Sequence, residues 1–364
     1  MTLKIVCIDC NAEAQPLDWR CRDCGGVLDF AALPPFSAKD IKMDDTSLWR
    51  YRDWLQMEQR ITLGEGMTPL VKTEVDGRKF LAKLEYLNPT GSYKDRGTVT
   101  MMNHIAAYDV NEVIDDSSGN AGASVAAYAS ALGIPARIFV PESGSIAKKA
   151  LIQAFGGRLE EVAGAQHLKT EACHKAAAST TYASHAWSPF FLLGQITAAF
   201  EIWEQTLPNW PDAIVVPVGH GALFLGIARG FKLIKQAGLI DIVPKMIAVQ
   251  SEKIDPVVQG YESNAEVPPR VVETSRTIAD GIMVDSPVRG KEILQTIRET
   301  NGAAFRVSDE AIQQAQVALA KRGLIVEATS AAAVAALSQV EAMLGENQQI
   351  VCCLTGNGLK NVGR

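Results

Sequence analysis

The sequence is poor in the features that mark membrane, secreted or nucleic-acid-binding proteins. Its longest apolar runs, such as AAAVAALSQV, are too short or too interrupted to span a bilayer. The opening stretch MTLKIVCIDC has no long apolar segment of the secretory kind, so a cytoplasmic protein is expected. Positive charge is not in excess. The 35 basic and 41 acidic side chains leave a net charge of −6, which argues against a nucleic-acid partner. Repeats and low-complexity tracts are missing. What is present is ordinary globular composition, 47% hydrophobic and 21% charged over 364 residues, enough for two domains sharing a sizeable core.

Four of the seven cysteines fall in CIDCNAEAQPLDWRCRDCGG: Cys7, Cys10, Cys21 and Cys24. Each C-x-x-C pair can present two thiolates from one tight knuckle, and two pairs complete a tetrahedral zinc site of the closed, structural type. The alternative is a pair of disulfides, which a reducing compartment disfavours. Cys173, Cys352 and Cys353 stand in apolar or helical surroundings and read as small core residues.

Beyond the cysteines, ALPPFSAKD is a proline-marked linker, and DDTSLWRYRDWLQM reads as a short helix capped by an Asp or Thr. From about residue 68 apolar strands alternate with helices. FLAKLEYL, NEVIDDSS, ARIFVP, YASHAW, AIVVPVG, KMIAVQ and IVCCLTG read as strands, and Ser308 caps a helix that ends at Gly323. This rhythm predicts an α/β fold of two doubly wound domains with parallel or mixed sheets.

In such sheets ligands sit beyond the carboxyl ends of the strands, and four places there stand out. In NPTGSYKDRG, residues 88–97, Lys94 lies in the first turn of a helix, where the macrodipole disfavours a cation. It is either an amine meant for covalent work or a solvated lysine paired with Asp95. In SSGNAGAS, residues 117–124, a strand leads through Ser117, Ser118, Gly119 and Asn120 into a helix of small residues. That is either an anion site with an amide beside it or an ordinary helix start. In PVGHGALFLG a strong strand delivers Gly219, His220, Gly221, Ala222 and Leu223, a loop able to cradle a phosphate. No G-K-[ST] follows it, so it is not a Walker loop. In LTGNGLKN a buried strand delivers Thr355, whose hydroxyl can face a ring nitrogen, or which merely turns the chain. One ligand suits all four: pyridoxal phosphate, with an aldehyde for the lysine, a phosphate, a ring oxygen and a ring nitrogen. A hydroxyl at the ring nitrogen suits elimination and replacement better than transamination.

These stretches, together with GEGMTPL (64–70) and GQITAAFEIWEQ (194–205), resemble the threonine synthase family of fold type II pyridoxal phosphate enzymes, in the family's order and over nearly the whole chain. The resemblance implies Lys94 as the Schiff-base and proton-shuttling lysine, and Asn120 at the cofactor's phenolic oxygen. It implies Gly219 through Leu223 at the phosphate, Thr355 at the pyridine nitrogen, and Ser117, Ser118 and Gly119 at the substrate carboxylate. Glu65 and Thr68 lie in a box usually near the site, with roles left open. Glu327 and Ser330, in VEATSAA, are further candidates for reaching the cofactor. The cysteine module looks like a ribbon found in part of the family, and a homodimer is implied. The expected division is a module at 1–30, a linker with a short helix at 31–67, a large cofactor domain of 68–97 and 206–364, and a smaller mobile domain of 98–205.

The sequence departs from the family in two places, one being the loop GHGAL, which differs from the G-N-x-G-N form common in threonine synthases. Where many threonine synthases have N-P-x-R-L-E-G-Q, with the arginine gripping a substrate phosphate, this chain reads SPFFLLGQ. Ser188 replaces the asparagine, Phe191 the arginine and Leu193 the acid, and Phe191 becomes a substrate contact. The expected activity is a lyase performing β/γ elimination or replacement on a small amino acid. A dehydratase of a β-hydroxy amino acid such as threonine, serine or an apolar analogue stands as an alternative. A non-catalytic pyridoxal phosphate sensor or carrier is the alternative of another class.

Overall fold

Runs of β-branched and small apolar residues separated by amphipathic helices build the chain as expected. The computed structural model describes residues 3–143, 146–164, 166–271, 276–345 and 347–361. They form two compact units. One comprises the described residues up to Gly66, Asn88–Thr90 and Lys94–Gly194; the other comprises Met67–Leu87, Gly91–Tyr93 and the described residues from Gln195.

The first unit opens with an antiparallel pair, β1 (Ile5–Cys7) and β2 (Leu28–Phe30), which brings the two cysteine knuckles to one end. Strands β3 (Leu70–Val75) and β4 (Arg78–Lys83) belong to the second unit. They are joined by Asp76–Gly77, both with positive φ, as a two-residue hairpin demands. In the first unit β5 (Val113–Asp115), β6 (Ala136–Pro141), β7 (Arg158–Val162) and β8 (Thr181–Tyr182) form a parallel sheet in the order β7-β6-β5-β8. In the second unit β9 (Ala213–Pro217), β10 (Lys245–Ser251), β11 (Ala303–Val307) and β12 (Ile350–Cys353) join the hairpin in the order β11-β10-β9-β12-β4-β3. Only β3 in that sheet runs antiparallel. Its core packs Val215, Ile247, Val249 and Cys352 against helix Ala328–Ala335. Among the described residues no helix is long and apolar enough to cross a membrane.

Several sequence expectations are corrected. The capping residue of the short segment after the linker is Ser47, whose hydroxyl accepts from Trp49 N at 3.1 Å; a 3-10 turn, Leu48–Tyr51, precedes the helical turn Arg52–Leu55. YASHAW is a strand only at its first residue, because Ser188 N donates to Ser184 O and the chain turns. FLAKLEYL leaves the sheet at Lys83 and tightens into a 3-10 turn, Glu85–Leu87. Strands β1, β2, β3, β7 and β11 go beyond the sequence expectation; all five are sheet edges. The Ser308 cap forms, accepting from Ala311 N at 3.2 Å, and Gly323 follows the helix with φ of 80°.

The boundaries of the two units also differ from the expected ones. Lys94–Gly97 lie in the first unit because helix Lys94–Ile105 packs on helix Asn120–Ala131. Residues from Gln195 onward fall in the second, although they continue helix Pro189–Thr206. The first turn of that helix is tied within the first unit by Thr100 Oγ1 donating to Phe190 O at 2.7 Å.

Candidate active site

Lys94 is the first residue of helix Lys94–Ile105 and is half-buried. Its neighbour Asp95 is not its counter-ion. Asp95 turns into the core, where Thr90 N, Thr90 Oγ1 and Ser124 Oγ each donate to it at 2.6 Å. Burial pushes its carboxyl up to about 6 in spite of those three donors. The acid next to the lysine thus clamps the turn before the helix. Lys94 Nζ lies 5.6 Å from the centre of the Phe191 ring, and Phe191 is fully buried.

In the same unit β5 ends at Asp115. Ser117 N donates to Asp115 Oδ2 at 2.9 Å, and Gly119 N donates to Ser117 Oγ at 3.3 Å, which folds the SSGN loop over the end of the strand. No side chain caps helix Asn120–Ala131, so its first N–H groups suit an anion. Gly122 has no room for a side chain: a Cβ there would lie 1.9 Å from Ser117 O. Asp116 accepts from Thr170 Oγ1 at 2.6 Å and Tyr182 OH at 2.7 Å and also meets Lys169. Against the cost of its burial, Lys169 and these hydrogen bonds hold Asp116 well below the usual carboxylate range. Burial and the adjacent charge of Asp116 push Asp115 up to about 7.

Glu65 and Thr68 prove to be struts. Glu65 accepts from Trp49 Nε1, Thr62 Oγ1, Leu63 N and Tyr128 OH, the last at 2.6 Å, which pins its loop to helix Asn120–Ala131. In the second unit Thr68 Oγ1 donates to Glu85 at 2.8 Å.

The second unit holds the other candidates at the ends of neighbouring parallel strands, β9 and β12. After β9 come Gly219, His220 and Gly221. Gly221, with φ of 82°, opens helix Ala222–Gln236 without a side-chain cap, and Ala222 and Leu223 are buried in its first turn. After β12 comes Thr355, buried, with its Oγ1 at 3.1 Å from Ser330 Oγ. Ser330 Oγ also accepts from Gly356 N at 2.6 Å. Tyr93 N donates to Thr355 O at 3.0 Å, so the residue before the lysine is stitched to this turn. Glu327 pairs with Lys360 at 3.3 Å.

The four N-terminal sulfurs all lie within 4.8 Å of one another, with Cys7–Cys24 at 3.5 Å, Cys10–Cys21 at 3.6 Å and Cys10–Cys24 at 3.5 Å. None is in a disulfide. A tetrahedral zinc with bonds of about 2.3 Å sets its sulfurs about 3.8 Å apart, so the cluster fits that ion. The Cys24 amide draws the Cys21 thiol down to about 7. Cys24 is pushed up to about 12: the Gly26 amide lowers it, but the sulfurs of Cys10 and Cys7 outweigh that. Trp19, between the knuckles, packs on His174, Tyr182 and Trp187, with ring centres 4.6, 5.3 and 5.2 Å away.

Two groups near Lys94 were not singled out from the sequence, Asp115 and His185. They lie 70 positions apart, and only the pairing of β5 with β8 joins them. The doubled acid before SSGN is the signal that was available.

Residues 61–356 match the family described as "Pyridoxal-phosphate dependent enzyme". The chain is 33% identical to the threonine synthase of Methanosarcina acetivorans over 98% of its own length and 91% of that protein's. It is also 33% identical to the threonine synthase of Methanocaldococcus jannaschii, over 98% and 92%. Among solved structures, a threonine deaminase from T.th. superimposes with a TM-score of 0.69 at 27% identity, covering 80% of this chain and 92% of that one.

Proposed function

The chain belongs to the pyridoxal-phosphate dependent enzymes and, among them, to the threonine synthase family, and from that membership we propose the residue roles and the substrate class. It is a pyridoxal-phosphate dependent lyase. In our reading Lys94 would hold the cofactor through its aldehyde, and Asn120 would meet its phenolic oxygen. The backbone of Gly219, His220, Gly221, Ala222 and Leu223 takes its phosphate. Thr355, braced by Ser330, faces its pyridine nitrogen. The bound cofactor supplies an electron sink for the α-carbon of an amino acid. Ser117, Ser118 and Gly119 hold the substrate carboxylate at the uncapped helix start. The Lys94 amine, once freed, takes the α-proton. The four cysteines hold a structural zinc, and the protein works as a cytoplasmic homodimer.

The leaving group is uncharged, and the product is a 2-oxo acid with ammonia. One observation carries this: Phe191 is fully buried with its ring 5.6 Å from the Lys94 amine, and by resemblance of SPFFLLGQ to N-P-x-R-L-E-G-Q it takes the sequence position of the family's phosphate-gripping arginine. A phosphate dianion desolvated against that ring, with Asp115 and Asp116 in the same unit, costs several kcal/mol unless a cation answers it, and the family's arginine is absent from SPFFLLGQ. The 33% identity to threonine synthases supports the second reading, in which the product would be a hydroxy amino acid rather than a 2-oxo acid.

The test is a panel of L-threonine, L-serine and O-phosphohomoserine on the reconstituted enzyme, scored for 2-oxo acid and for inorganic phosphate. Hydroxy amino acids are expected to give 2-oxo acid, and O-phosphohomoserine to turn over poorly. Phosphate release from it at high kcat/KM overturns the assignment. Zinc is checked by metal analysis, with about one ion per chain expected.

A further inference from the structure

Lys94 moves the α-proton, but expelling hydroxide from the β-carbon needs a second proton, delivered to the departing oxygen. The ends of β5 and β8 hold a pair of groups for it. Asp115 closes β5, and His185 follows β8 by three residues; because the two strands are neighbours, His185 Nδ1 comes to 3.9 Å from Asp115 Oδ1. The Asp115 side chain is fully buried, and among the described residues its Oδ1 makes no hydrogen bond. His185 remains 14% exposed at its side chain. Its ring lies 6.0 Å from that of Phe191, the same ring that faces the Lys94 amine at 5.6 Å. Ser117, at the proposed carboxylate loop, donates to the other oxygen of Asp115 at 2.9 Å.

We propose that His185 is the acid that protonates the leaving hydroxyl of a β-hydroxy amino acid, with Asp115 as the positioning residue that backs it. The proposal rests on Lys94 being the Schiff-base lysine. The separation of 3.9 Å closes to hydrogen-bonding range with a shift of roughly 1 Å, as often happens when a substrate enters. As the β-carbon–oxygen bond breaks, its electron pair goes to the oxygen, which takes the Nε2 proton of His185 and leaves as water. Nδ1 takes the proton of Asp115, which becomes a carboxylate. The α-proton held by Lys94 then balances the cycle: a proton returns to Nε2 while Nδ1 gives its own back to Asp115.

The electrostatics agree. Burial and the Lys94 charge keep His185 well below the usual histidine range, so it is a neutral donor, while Asp115, pushed up to about 7, carries a proton in mildly acidic solution. A relay drawing on an acid of that strength is close to optimal near neutrality. The charged and titratable groups around the pair are Lys94, Asp116, Lys169, Cys173 and Tyr182.

The decisive measurement compares elimination from L-serine with elimination from β-chloro-L-alanine, whose chloride leaves without a proton. The His185→Gln variant is expected to lower the kcat ratio of serine to chloroalanine by roughly 100-fold, and Asp115→Asn to lower it in the same direction by less. Equal losses on both substrates, or no loss on either, overturn the proposal, as does a wild-type enzyme with cofactor on Lys94 that eliminates chloride but not hydroxide. Nitrogen-15 NMR of the imidazole, without cofactor or substrate at pH 6, is expected to show the Nε2–H tautomer; a dominant Nδ1–H tautomer also overturns it. Borohydride trapping followed by peptide mapping is a separate readout. Label at a residue other than Lys94 sinks the underlying reading rather than the relay.

Discussion

Two buried polar clusters, one in each unit, differ in how fully their groups are answered. In the second, Lys83 is fully buried and fully answered: its amine donates to Thr68 O at 2.7 Å, Glu201 Oε2 at 2.8 Å and Gln205 Oε1 at 3.0 Å. Ser330, Thr355 and Gly356 close a second such knot. In the first, two adjacent acids end β5. One is held by Lys169, Thr170 and Tyr182, and the other, among the described residues, keeps an oxygen without a hydrogen bond 3.9 Å from a histidine. Closed networks hold a shape; an open one leaves a group free to change its protonation state.

That contrast can be broken from either side. The largest expected effect is on activity: Lys94→Ala should abolish turnover, a loss beyond 1000-fold on the order expected for a covalent lysine, with the unfolding midpoint nearly unchanged. Next, Lys83→Met should leave Glu201 buried without its cation and cost about 3–5 kcal/mol in urea unfolding. Asp115→Asn should act in the opposite sense. Its carboxyl is raised from 3.8 to about 7 in the folded protein, so folding is penalised as pH rises through that window and the full penalty is present above it. The variant should therefore be more stable than wild type at pH 8, by on the order of 2 kcal/mol, and gain little at pH 4. Least is expected of Ser308→Ala, about 1 kcal/mol from a lost helix cap outside either network, read by the same unfolding measurement.

Much of this was written openly in the sequence. The lysine box, the SSGN loop, the glycine loop and the terminal threonine stand at strand ends, where local patterning exposes them, and the four cysteines come together as their spacing implies. The Ser308 cap needed only a hydroxyl before an amphipathic run. The hidden parts have separate causes. Strands β3, β7 and β11 lie at sheet edges, where one flank faces solvent or a loop and the apolar signal is diluted; RLEEV is a strand only because it pairs with β6. The meeting of Asp115 with His185 depends on which strand lies beside which, and no local pattern encodes it. Ser47 caps in place of the Asp or Thr expected, because three capping residue types stand side by side and only backbone geometry selects among them.

Trp19 carries a practical consequence. It reaches from between the cysteine knuckles to wedge against Tyr182 and Trp187, the two aromatics that bracket the turn bearing His185. The amino-terminal appendage is therefore a doorstop for that turn rather than a detachable ornament. A shortened chain beginning where the family match begins, at residue 61, loses the stop and leaves both aromatic faces wet.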